Sequence, residues 1–313
     1  RGKVMKMVRG GTVVLFVALV GAATAAGQEP TKVSLRSDPG VESALQLVAM
    51  WLDAERAYKQ VPGLSAALVH DQDVVWSGGF GYADSERQIE ATEKTIYSIC
   101  SISKLFTSIG VMQLRDQGLI DFGDFPHQHL PWFDIEQAYP DGAPVTIRGM
   151  LTHSSGLPRE SDFPYWSEPN FEFPSREQIM ESVGRQRTLY PGDTYFQYSN
   201  LGFTLAGMIV GEVSGQMYDA YVAQNILEPL NLSDTRPELP RALWGERLAI
   251  GHGALNRDGQ RKKLPFFQAR GIAPAAGFSS TVEDMAAFAS WQFRLLESGG
   301  EEVLRANTLR EMH

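Results

Sequence analysis

The order of its local patterns predicts an α+β protein with an antiparallel sheet flanked by helices and a mostly helical region beside it. Three observations lead there. A helix-periodic stretch is followed by two strand-like segments around a tight turn near the start. The middle, roughly residues 120–245, reads as helices and loops with few strands. Near the end the pattern returns toward the sheet, and strand and helix do not alternate as a parallel sheet requires.

Val41 to Lys59 has helical spacing, with Leu45, Val48, Leu52 and Ala54 among its apolar positions. Gly63 to Val69 and Val74 to Tyr82 read as a hairpin around Asp71-Gln72-Asp73. Thr95 to Ile99 is a short β-prone run that enters a helix at Ser101, and Gly118 is a natural stop. Leu105, Ile109 and Met112 lie on one face of that helix, while Phe106, Val111 and Leu114 cover the others, so it is expected to be buried all round. Thr146 to Thr152 is a short helix candidate, and Leu201 to Val213 a second buried one. Ser280-Thr281-Val282-Glu283 has the form of a capping box that opens a helix carrying Met285, Phe288 and Trp291.

The first 26 residues are of another kind. Arg1, Lys3, Lys6 and Arg9 form a basic start, Thr12 to Val20 is nearly all apolar, and Ala23-Thr24-Ala25 is an A-x-A site. That is the layout of a signal peptide, so export to the periplasm or medium is expected. The alternative is an uncleaved anchor, but the apolar core is shorter than the roughly 20 residues a span needs. Expected boundaries are a signal peptide at 1–26, a polar linker at 27–40 and one domain at 41–313. Removing residues 1–26 leaves 24 basic against 37 acidic residues, a net −13, which repels phosphate backbones and argues against nucleic acid as a partner. Leu201 to Val213, at 13 residues, is the longest later apolar run, so no stable membrane insertion is expected after cleavage. The single cysteine, Cys100, permits no internal disulfide.

Ser101-Ile102-Ser103-Lys104 is an S-x-x-K motif at a strand-to-helix entry, and no other serine has a lysine three residues on. On a helix those positions share a face, so the amine reaches the hydroxyl. A serine hydroxyl needs a neighbouring base, and a lysine serves if burial lowers its pKa. The motif by itself arises by chance about once in a chain this long. Tyr198-Ser199-Asn200 is the only Y-x-N, directly before a buried helix. The phenol can move protons to and from a serine, and Asn200 offers an amide that can hold both the lysine and a substrate carbonyl; taken alone, the triplet reads first as a polar turn capping the next helix. His127-Gln128-His129 could suggest a metal pair but has no accompanying Cys/His cluster, so no metal is expected. His153 is expected to fix a loop by hydrogen bonds, and Phe163, Tyr165 and Trp166 either line a cleft or simply pack.

Taken together and in order, the segments carry a resemblance. Tyr97 to Thr107 (YSICSISKLFT, with Cys100 where glycine is usual), Leu151 to Pro158 (LTHSSGLP), Pro191-Gly192 followed by Tyr198-Ser199-Asn200-Leu201-Gly202, and Ala273 to Thr281 (APAAGFSST) resemble the nucleophile, "LTHTSGLP", "PG…YSN.G" and "PAGGL.ST" segments of the serine β-lactamase and penicillin-binding protein family, class C-like branch. The resemblance runs from about residue 40 to the end. It implies a β-lactamase/transpeptidase-like fold and a serine hydrolase working through an acyl-enzyme on an ester, amide or β-lactam carbonyl. Ser101 would be the nucleophile, Lys104 and Tyr198 the proton carriers and Asn200 a substrate-binding residue, with no cofactor or metal. The partner is then a small-molecule or peptide substrate. The family also contains carboxylesterases, D-alanyl-D-alanine carboxypeptidases and D-amino-acid amidases. A non-catalytic protein that keeps the fold to bind peptidoglycan or another partner is the rival from a different class, although binding needs none of Ser101, Lys104 and Tyr198.

The family's third motif, K-T-G or H-x-G, has no counterpart in its usual place. No K-[ST]-G occurs, Lys94-Thr95-Ile96 is a near miss on the wrong side of Ser101, and His252-Gly253 precedes the Ala273–Thr281 stretch and so reads as a loop. The expectation from this ordering is a C-terminally incomplete domain whose last strands, and one oxyanion donor with them, are missing.

Overall fold

The computed structural model describes residues 35–163, 166 and 171–313. The expected signal peptide, residues 27–34 of the expected linker, and Tyr165 lie outside the described residues. The linker's last part is not extended chain: Leu35–Ser37 is a 3-10 turn and helix α1 (Pro39–Tyr58) begins two residues earlier than its periodicity suggested. Asp38 causes this, since its carboxylate accepts from the Gly40 and Val41 N–H groups, and Pro39 is preorganised for the first turn.

Strands β1 (Gly63–His70) and β2 (Asp73–Asp84) form the expected hairpin, registered from Gly63 opposite Gly81 to His70 opposite Asp73. Asp71 takes the positive φ (53°) of the two-residue turn. Strand β3 (Ile89–Glu90) adds a short third member, and α1 packs on β2. Strand β4 (Tyr97–Ser98) leads through a 3-10 turn, Cys100–Ile102, into α2 (Ser103–Asp116). Ser101 therefore sits in the turn rather than as the first helical residue.

The middle is helical, as expected: α3 (Pro126–His129), α4 (Ile147–Leu151), α5 (Arg176–Val183), α6 (Asn200–Ser214) and α7 (Tyr218–Val222), the last running into a π-helical turn at Ala223–Leu227. Thr146 caps α4 and Ser199 caps α6, each accepting from a backbone N–H three residues on. The first eleven residues of α6, Asn200 to Val210, are all buried. Among the described residues no helix is long and apolar enough to cross a membrane.

Three local expectations need correction. His252-Gly253 is not in a loop: it opens β5 (His252–Leu255), which pairs with β6 (Arg261–Lys263), because the Asn256–Gln260 turn closes a hairpin around Gly259. After α8 (Ala273–Ala276), strand β7 (Ser279–Ser280) pairs antiparallel with β4. This draws Ser280 into a ladder, so Thr281, not Ser280, caps α9 (Val282–Ser298) by accepting from the Asp284 N–H at 3.1 Å. Strands β8 (Glu301–Glu302) and β9 (Leu304–Arg305) and helix α10 (Ala306–Met312) follow.

The third correction concerns α2, which is not buried all round. Val111 and Leu114 enter a core built with α4, α5 and α6, while Phe106, Ile109 and Met112 enter a second core built with α9, α10 and the π-helical turn. With two opposed faces committed, Leu105 is left outward and is 45% exposed. α9 packs in turn on β1 and β2. Helix α2 is thus the wall shared by both cores. Phe106 is fully buried and stacked on Phe278 at 4.9 Å. Phe106→Ala is expected to lower unfolding free energy by about 3–5 kcal/mol, the usual range for deleting a core phenylalanine, as read by urea denaturation.

Candidate active site

The turn before α2 is held from both sides. Ser103 donates its hydroxyl hydrogen to the Cys100 carbonyl and accepts from the Phe278 N–H at 3.0 Å, which ties the turn to the segment between α8 and β7. The backbone at Cys100 has φ of 43°, a region that favours glycine, and this accounts for the glycine usual at that position in the resembling segments. The result is that Ser101 and Ile102 are exposed while Ser103 and Lys104 are buried.

Lys104 is 7% exposed and its ammonium has three acceptors. Asn200 Oδ1 and the Ala275 carbonyl each lie at 2.8 Å and Ser101 Oγ at 3.3 Å. An ammonium has three hydrogens to donate, so this set satisfies it. Burial pushes the amine below its usual range; the hydrogen bond and charge of Tyr198 and the negative charge of Glu160 pull it back, and the Arg159 guanidinium pushes it down again. On the far side of Ser101, the Tyr198 hydroxyl donates to Oγ at 2.6 Å. All three expected reactive groups, Ser101, Lys104 and Tyr198, therefore meet at one oxygen.

Asn200 also joins the cluster, with a different bonding pattern from the one expected. Its oxygen faces Lys104, but its nitrogen donates to Glu160 Oε1 at 2.7 Å and the residue is 3% exposed. In this structure Asn200 holds the lysine and is itself oriented by Glu160. The segment carrying Glu160 clips the start of α6 in other ways too. Pro158 O accepts from the Ser199 hydroxyl at 2.7 Å, and Arg159 O accepts from the N–H groups of Asn200 and Leu201, two of the donors a helix start leaves open. The Arg159 guanidinium lies over the Tyr198 ring at 4.9 Å. Arg159, Glu160 and Ser103 were not singled out from sequence; the position of Arg159-Glu160 directly after the LTHSSGLP segment was the available signal.

His153 does hold its loop. Its Nδ1 accepts from the Ser199 N–H at 3.1 Å, its carbonyl accepts from the Gln197 N–H at 2.7 Å, and its ring lies 4.4 Å from that of Tyr198. Of the aromatic residues nearby, Phe163 packs on the helical core and Trp166 meets Phe173 edge-on at 5.0 Å. His129 bonds Asp124 at 2.8 Å, and among the described residues no group of three or more His, Cys, Asp or Glu side chains is arranged to hold a metal.

Burial, Lys104 and Arg159 push the His153 imidazole from 6.5 down to about 4. The unfolded chain therefore takes up this proton at a higher pH than the folded one. The stability that neutral His153 provides is complete above pH 6.5 and is lost progressively as pH falls toward 4. Measuring unfolding free energy across that window should show a fall that His153→Asn flattens; an unchanged slope would remove His153 as its source.

Comparison with known proteins gives the family and the fold. The sequence model of the family described as "Beta-lactamase" matches residues 50–313. Beta-lactamase-like protein 2 of Dictyostelium discoideum is 29% identical over 210 residues, 66% of this chain and 38% of that protein. Protein flp of Staphylococcus aureus is 29% identical over 177 residues, 56% of this chain and 34% of that protein. The chain spans little more than a third of the length of these relatives. Among solved structures, the octameric penicillin-binding protein homologue from Pyrococcus abyssi superposes with a TM-score of 0.71 at 27% identity, covering 86% of this chain and 59% of that one. EstCE1, a hydrolase with promiscuous acyltransferase activity, superposes with a TM-score of 0.69 at 20% identity, covering 86% and 76%, which speaks to the fold alone. Helices around antiparallel strands, in the arrangement of these proteins, make this a β-lactamase/transpeptidase-like fold, and the chain belongs to the beta-lactamase family.

Proposed function

We propose that the chain is a serine hydrolase that forms an acyl-enzyme on Ser101 from an ester, amide or β-lactam carbonyl. The observation that carries this reading is the pair of proton-handling groups on one exposed hydroxyl, Tyr198 at 2.6 Å and Lys104 at 3.3 Å. Both are within or close to the reach a general base requires, and apo sites tighten when substrate binds. A solved neighbour described as a hydrolase with acyltransferase activity and another described as a penicillin-binding protein homologue support acyl chemistry for the fold.

In the first step Ser101 Oγ bonds to the substrate carbonyl carbon as its proton passes into the Tyr198–Lys104 pair. The proton then goes to the leaving oxygen or nitrogen as its bond to that carbon breaks, leaving an ester on Ser101. A water repeats the attack with its proton taken by the same pair, and Ser101 regains its hydrogen as the acid departs. Burial of Lys104 aids this by making the neutral amine easier to reach. Asn200 and the Ala275 carbonyl keep the amine on the serine side throughout.

The deciding experiment compares hydrolysis of a chromogenic ester, a chromogenic cephalosporin and a D-Ala-D-Ala peptide, with and without prior labelling by a serine-reactive phosphonate. Ser101→Ala should lose both turnover and label while keeping its circular dichroism; label retained at the wild-type rate would move the nucleophile elsewhere. Tyr198→Phe should slow acylation by about 10²–10⁴-fold, the span of a general acid–base group. A rate equal to wild type would reduce Tyr198 to packing.

A further inference from the structure

A second feature lies beside β4, whose Tyr97 and Ser98 line it. A cavity of about 290 Å³ is enclosed by the start of β1, the end of β2, the chain before β5 and the residues after β6. Its walls are mostly apolar, with Trp244, Leu248, Ile250, Leu264, Phe266 and Phe267 among them. Arg261 also lines it, and its half-buried guanidinium caps the C-terminal end of α1. Nε donates to Gln60 O at 2.8 Å, Nη2 to Lys59 O at 3.0 Å and Nη1 to Gly253 O at 3.0 Å. These are neutral carbonyls. Among the described residues Arg261 has no ion-pair partner, whereas Lys263 on the same strand is paired with Glu86 at 2.9 Å.

We infer that this cavity binds a small apolar carboxylate, an aryl- or alkyl-substituted monoacid, with the acid group on Arg261 and the hydrocarbon against the aromatic wall. A guanidinium has five N–H donors in a rigid fork, and three are used here. The remaining two, one on each terminal nitrogen, match the two oxygens of a carboxylate, the partner for which such a fork is best suited. Carbonyl dipoles, two of them at the C-terminal end of α1, fix the direction of the side chain and offset only part of its charge, so an arriving anion gains a positioned cation in a partly dehydrated setting. The walls supply the rest of the affinity by removing apolar surface from water, in a space at the small end of the range for ligand pockets.

The cavity touches the candidate active site through one strand. Ser98 lines it, and Ser98 Oγ lies 3.4 Å from the sulfur of Cys100, the residue before Ser101. The same ligand chemistry therefore has two sources: the acid half of a substrate cleaved at Ser101, or a free acid that binds beside the site. Binding itself does not rest on the hydrolase reading and is measured without turnover.

The test is calorimetric titration of the 313-residue chain with 4-phenylbutyrate and, separately, with 4-phenylbutan-1-ol. The acid should bind at one site and at least about 10-fold tighter than the alcohol, the lower bound for a hydrogen bond to a charged group. Arg261→Gln should bring the acid down to the affinity of the alcohol. Because Arg261 also ties three backbone carbonyls, a second variant leaves it in place: Ala249→Phe, which fills the cavity from its wall, should abolish binding of both compounds. Equal affinity for acid and alcohol on the wild-type chain, no saturable binding of the acid, or undiminished acid binding by Ala249→Phe would each overturn the inference. Where an ester is turned over, competitive inhibition by 4-phenylbutyrate identifies the acid half of a substrate, and non-competitive inhibition or activation identifies a separate acid.

Discussion

Three hydrogen bonds between little more than one turn of α2 and the segment 274–278 organise the rest of the molecule. Ser103 accepts from the Phe278 N–H, Lys104 donates to the Ala275 carbonyl, and Thr107 donates to the Pro274 carbonyl at 2.7 Å. Each of these side chains is buried, and each would cost free energy if its partner moved away, the ammonium most of all. The Lys104 charge therefore acts as a constraint on three elements at once: its own helix, the start of α6 through Asn200, and α8 through Ala275. Close approach is required for this to work. Gly207 of α6 faces Pro274 so tightly that an added Cβ would lie 2.3 Å from the proline ring.

A polar network on the opposite side of Lys104 fixes the remaining direction. Glu160 orients the Asn200 amide, His153 and Pro158 hold Ser199, and Arg159 covers both the first donors of α6 and the face of Tyr198. The LTHSSGLP segment can turn this tightly because Gly156 has φ of 74° and no side chain; a Cβ there would lie 2.0 Å from the Tyr190 carbonyl. The network places two cations and one imidazole around one phenol, and the imidazole stays neutral because protonating it would add a third positive charge in a half-buried setting. A set of groups this connected is expected to respond to deletion as a unit rather than residue by residue.

The two cores give that arrangement its stiffness. Since α2 is packed from both sides, the turn carrying Ser101 cannot shift without disturbing either the helical core or the one beneath α9. The β4–β7 pair supplies a second attachment, and Tyr97 and Ser98 of β4 also line the cavity that holds Arg261.

Local patterns alone determined the hairpin, the buried α6 and the helix after the S-x-x-K motif, because each depends on spacing within a few residues, whereas the grouping of Ser101, Lys104 and Tyr198 was expected only from the ordered set of family-like segments. Lys104 follows Ser101 by one turn, and Tyr198 and Asn200 flank a helix cap, so their types and positions announce them. Other features needed the tertiary structure. The third acceptor of Lys104 is a backbone carbonyl 171 residues away, and a carbonyl has no signature in a sequence. Glu160 orients Asn200 across 40 residues, and the outward face of Leu105 and the shift of the α9 cap to Thr281 follow from what packs or pairs beside them. Composition could not disclose that, among the described residues, Arg261 lacks an acidic partner while Lys263 has one. Periodicity and motif spacing report on the chain's own neighbours, whereas charge compensation, exposure and the direction of an amide are set by groups that only folding brings together.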